Sequence, residues 1–197
     1  NLSASGLNGE FFFLTNSPGL ISLVLPTHRA ATNLLWVGGG ANNWDLGATA
    51  NWTDGSAAQK FFPDDTVRFD NTGLTSPSMN VVGTLRPGGI TFDATNNYTL
   101  GGSGLFVGNG GLVKTNSGTL TINATTSTFT GRTILGGGMV VIPTIANGGT
   151  ASPIGAANNA TSNLVFYGGT LRYTGATAAT DHGMTFRPAG GTLDGKS

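Results

Sequence analysis

The sequence predicts an all-β fold of the solenoid kind, in which short strands wind repeatedly around a narrow apolar tube. Three observations carry this prediction. Between residues 98 and 142, β-prone bursts (Tyr98–Leu100, Leu105–Val107, Leu112–Lys114, Thr119–Ile122, Arg132–Leu135 and Met139–Ile142) alternate with Gly, Asn, Ser and Thr. None of these bursts is long enough for a helix, and no helical crossover joins one to the next. Charged residues make up 9% of the 197 residues and Gly accounts for 33 of them, so charge is far below, and glycine about twice, the usual share. Hydrophobic residues still make up 38% and recur throughout, which argues for a packed core and against disorder.

Residues 1–33 read as an N-terminal β-hairpin and linker. GEFFFL and LISLVL flank TNSPG, in which Asn16, Pro18 and Gly19 supply turn chemistry. Phe11, Phe12, Phe13, Leu23 and Leu25 are too apolar to face water all together, so the hairpin either caps the solenoid or packs on another chain through them. Residues 34–78 read as an aromatic-rich capping segment holding all three tryptophans, Trp36, Trp44 and Trp52, beside Phe61, Phe62 and Phe69. Large flat side chains close the open end of a β tube well. Their other use is a sugar-stacking platform, because pyranose faces pack on indole rings.

Residues 79–197 read as the parallel β-helix itself. Its expected strands are Met79–Val82, Gly89–Phe92, the six bursts already named, Leu164–Tyr167, Thr170–Tyr173 and Met184–Arg187. At three strands per rung and about 4.8 Å per rung, this part makes a stub about four rungs tall. Residues 143–162 carry no strand pattern and read as a loop bulging from the shaft.

Nine basic and nine acidic residues give zero net charge. No basic stripe exists to displace counterions from nucleic acid, and no polybasic segment suits an anionic membrane. Zero net charge also removes long-range repulsion and eases self-association. Cysteine is absent, which excludes disulfides, thiolate metal sites and thiol chemistry. The longest apolar runs, residues 10–14 and 20–25, are too short to span a bilayer. No basic leader precedes them, so the chain reads as a piece of a larger protein.

The repeated segments resemble the autotransporter-associated β-strand repeat, also called the passenger-associated transport repeat. The likeness rests on GLVKTNSGTLTI (111–122) followed by TFTGRTI (128–134) and the strand at Met139. Upstream, Trp36-Val37-Gly38, Asn43-Trp44-Asp45, Asn51-Trp52 and residues 65–70 are similar to the module that often precedes such repeats. Residues 98–104 and 163–173 are similar to the repeat again. Arg132 departs from the small residue usual there, and Ser127 or Thr128 replaces the usual Asn. The resemblance implies a right-handed parallel β-helix in a large exported bacterial surface protein, extracellular or on the cell surface. The family has no catalytic residues to carry over.

The chemistry-bearing residues agree with a non-enzymatic reading. Gly190–Ser197 spells a phosphate-loop pattern, but that mechanism needs a following helix. Asp64, Asp65 and Asp70 form the main carboxylate cluster. Asp64 and Asp65 lie at a turn before a strand, where Asp bonds backbone, and the three are at most a weak Ca²⁺ candidate. His28 and His182 are distant from each other and lack metal-ligand spacing. The expected function is a structural module of a surface stalk, fibre or adhesin. It needs no cofactor, and its partners are neighbouring repeats or copies of itself, which can stack into filaments. The alternative is a carbohydrate-binding module of a larger secreted glycan-active protein, with Trp36, Trp44 and Trp52 as the glycan contacts.

Overall fold

The computed structural model describes residues 13–17, 20–24, 29–39, 41–73, 78–124 and 126–195. The chain forms two compact units, residues 1–30 and 31–197. In the first, β1 (Phe13–Ser17) and β2 (Leu20–Val24) pair antiparallel, with Phe13 opposite Val24 and Ser17 opposite Leu20. This is the expected hairpin. Phe11, Phe12 and Leu25 lie outside the described residues.

The second unit is a β-solenoid of stacked parallel strands. Its first rung is β3 (Asn33–Trp36) and β4 (Asn43–Trp44), followed by the short antiparallel strands β5 (Trp52–Thr53) and β6 (Ala58–Gln59). The next rungs are β7 (Thr66–Phe69), β8 (Ser78–Val81) and β9 (Thr84–Leu85), then β10 (Gly89–Asp93), β11 (Tyr98–Gly102) and β12 (Leu105–Phe106). The last four are β13 (Leu112–Thr115) with β14 (Thr119–Ile122), β15 (Thr133–Leu135) with β16 (Met139–Ile142), β17 (Leu164–Phe166) with β18 (Thr170–Tyr173), and β19 (Met184–Phe186) with β20 (Thr192–Gly195). One sheet runs β19-β17-β15-β13-β10-β7-β3-β5-β6 and the other β20-β18-β16-β14-β11-β8-β4.

Alternation within each strand sets which side chains enter the tube. β10 and β14 alternate strictly between half-exposed and buried residues, as a strand with one dry face must. Parallel register then stacks like positions. Trp36, Phe69, Phe92, Lys114, Leu135, Phe166 and Phe186 fall in one inward column of the first sheet. Tyr98, Leu120, Val140, Leu171 and Leu193 form an inward column of the second. Rings stack along the first column: Phe69 on Phe92 at 4.2 Å and Phe166 on Phe186 at 4.6 Å between centroids.

Three expectations change. From β8 onward the chain supplies six strands to one sheet and five to the other, not about four rungs of three. Among the described residues, the third side carries only the two-residue pair β9 and β12. Beyond these it continues as irregular backbone, with Thr128 N–H donating to Phe106 O, Ser152 N–H to Ser127 O and Ala156 N–H to Phe129 O. Residues 143–162 therefore do not simply bulge outward. Their middle lies against that third side and buries Ile154 and Ala157. Finally, the segment expected to cap the tube also supplies its first rung, and the edge of β3 is not open, because β5 pairs with it antiparallel.

Candidate functional site

The aromatic segment is built around Asn51, whose side-chain amide donates to the carbonyls of Ala41 and Asn43 at 2.6 and 2.9 Å. It ties β4 to β5 and turns the tryptophans inward. Trp36 meets Trp52 edge-on at 4.9 Å, Trp44 meets Trp52 at 5.2 Å, and Trp44 packs on Phe106 at 4.7 Å. All three indoles are 0% exposed, so none presents a ring face to a sugar. Their N–H groups find no hydrogen-bond acceptor. Ring-edge contacts and burial hold them, which is the behaviour of a core plug. The structure brings these three predicted residues together, inside the tube.

The carboxylate cluster is dispersed among separate tasks. Asp65 is fully buried, and its two oxygens accept from Thr32 N–H at 2.9 Å and Phe62 N–H at 2.8 Å. Asp64 pairs with Arg86 at 2.8 Å, and Asp70 accepts from the N–H and hydroxyl of Thr72. No three acidic or histidine side chains are grouped to hold a cation among the described residues. Asp54, outside this group, is held well below the usual carboxylate range, first by the Ser56 hydroxyl and then by backbone N–H donors. It shapes the β5–β6 turn. In residues 190–195 the phosphate-loop pattern runs into strand β20, and no helix follows among the described residues.

Lys114 was not foreseen as a core residue. It is 2% exposed and occupies the aromatic column between Phe92 and Leu135. Its ammonium donates to Thr115 O at 2.5 Å and Asn116 O at 3.0 Å. Burial pushes its pKa down to about 8, against a smaller upward pull from Asp93. The alternation Leu112-x-Lys114 was the available signal, since it places both side chains on one face. Burial also lowers the pKa of His182, whose Nε2 has no hydrogen-bond partner.

Outside, the solenoid is laced by short polar ladders. Arg68 pairs with Asp93 at 2.8 Å, and Asp93 accepts from Thr115 and Asn116 of the following rung. Arg172 pairs with Asp194 at 2.6 Å. Among the described residues, the large apolar side chains in the open are Tyr167, Phe186, Leu193 and Val82.

A curated relative, the Adhesin BmaC autotransporter of Brucella suis biovar 1 (strain 1330), is 46% identical to this chain over 66 residues. That stretch is 33% of this chain and 2% of the relative's length, so the chain spans a very small part of that protein. No family model and no solved structure matches. A partial homologue of the chain is thus an autotransporter adhesin, and a β-solenoid fits a repeat of that kind.

Proposed function

We propose that the chain is a rigid, non-enzymatic spacer in a bacterial surface adhesin, exposed outside the cell. The observation that carries this reading is the unbroken buried column from Trp36 to Phe166. It makes each rung bury its dry face on the next, so the tube resists bending and adds about 4.8 Å of reach per rung. The partial adhesin relative supports the location and the role. Force spectroscopy with handles at Asn33 and Gly195 tests this. The proposal expects the second unit to resist extension and then yield cooperatively. Gradual low-force unravelling contradicts it.

Self-association belongs to the same proposal, through the hairpin of residues 1–33. What supports it is the apolar sequence at Phe11–Phe13, Leu23 and Leu25, together with zero net charge. Sedimentation of the whole chain then shows larger species at higher concentration, reduced by Leu23→Asp. A monomer at every concentration removes this part of the reading.

A further inference from the structure

The corner between the two long sheets changes chemistry along the solenoid. In one outward column, Asp93 precedes Thr115, then Gly136, Tyr167 and Arg187. Backbone bonds fix the last three as direct neighbours, because Tyr167 N–H donates to Leu135 O and Arg187 N–H to Phe166 O, both at 2.8 Å. Tyr167 is 56% exposed, the most open of the large apolar side chains among the described residues. On one side of it stands Gly136, which has no side chain to cover the ring. Gly137, Gly138 and Gly168, none of them buried, continue this bare shelf around the corner. On the other side stands Arg187, exposed and not part of the ion pairs that join Arg68, Arg86 and Arg172 to aspartates. The carboxylate of the same column, Asp93, is three rungs away and neutralised by Arg68.

We propose that Tyr167, the glycine shelf and Arg187 form a binding site for a carboxylated saccharide, a uronic-acid-containing glycan chain. Three features select that ligand class. An aromatic ring with an open face and a polar edge stacks on the C–H face of a pyranose. An arginine on the next rung, whose backbone lies about 4.8 Å away, reaches the same stretch of surface, and its guanidinium is shaped for bidentate pairing with a carboxylate. The glycine floor lets an extended polymer lie flat along the corner. The site is independent of the spacer reading and needs only the rung geometry. It also replaces the buried tryptophans as the sugar contact.

Isothermal titration of the whole chain with a uronic-acid tetramer, and with the same tetramer after its carboxyl groups are reduced to alcohols, tests the proposal. The acidic tetramer binds, and the reduced one binds about 10-fold more weakly, the loss of one charge-assisted contact. Tyr167→Ala weakens both tetramers by about 10-fold. Arg187→Gln brings the acidic tetramer down to the level of the reduced one. Both side chains are exposed, so the melting temperatures of the variants stay at the parent value. No binding by the parent chain, equal binding of the two tetramers, or binding that neither substitution changes overturns the proposal.

Discussion

Lys114 puts a positive charge in a column otherwise made of rings and aliphatic chains. Its pKa is depressed to about 8 from the ordinary 10.5, chiefly by burial, so the folded state binds that proton less well than the unfolded state. The associated stability is fully present above pH 10.5 and is lost as pH falls through about 8. Thermal melts from pH 7.5 to 9.5 should therefore show rising stability in the parent chain. Lys114→Met keeps the length and apolar stem, and should flatten that rise while matching or exceeding the parent at pH 7. Asp65 is a buried carboxylate whose oxygens accept from two backbone donors. Asp65→Ala should cost about 1–3 kcal/mol by chemical denaturation, because both donors lose a charged acceptor. Chelator should leave the melting temperature of the parent chain unchanged, since the aspartates already serve backbone and arginine partners. A large fall would restore a structural cation.

At the scale of elements, the plug and the corners hold the solenoid together. Phe69 touches Trp36, Trp44, Trp52, Phe92 and Tyr98, so Phe69→Ala should cost about 3–5 kcal/mol, as a large cavity in a packed core does. Corners limit the approach of successive rungs. At Gly118 an added Cβ would meet Asn96 O at 2.2 Å and Ala94 O at 2.7 Å, both backbone. Gly118→Ala should therefore cost about 1–3 kcal/mol through overpacking. Exposed ladders matter less, and removing Arg172 from Asp194 should change stability by under about 1 kcal/mol. The strands themselves were legible in the sequence, because alternation marks any strand with one dry face. Gly89–Phe92, Thr119–Ile122 and Thr170–Tyr173 sit where period two puts them. The third side was not legible. Residues 152–157 enter the wall with Ser152, Pro153, Ile154 and Gly155 buried in succession and Ala157 just beyond, and an unbroken buried run holding one large apolar residue sets no period.

For the whole molecule, the fold class followed from composition and rhythm together, and the aromatic plug from the clustering of Trp36, Trp44 and Trp52. Their burial could not be read from spacing alone, since an indole in a strand serves a core or a surface equally well. The corner at Tyr167 was hidden for a related reason. Phe166 and Tyr167 are adjacent aromatics, and only the register with Gly136 and Arg187 shows which one faces outward. The height of the solenoid depended on how many residues the third side consumes, which the sequence does not mark. Everything in the fold follows from successive turns stacking in parallel, one inter-strand spacing apart. The absence of cysteine lets spin labels be placed cleanly in the outward column Ser78, Thr99, Thr121, Val141, Arg172, Asp194. Pulsed electron paramagnetic resonance between a label at Asp194 and one at Ser78, Thr99 or Thr121 measures that stacking directly. Parallel stacking gives backbone separations shrinking in equal steps of about 4.8 Å, from about 24 to 19 to 14 Å. Distances that do not follow that order, or that alternate between near and far as in a sandwich of antiparallel strands, would contradict it.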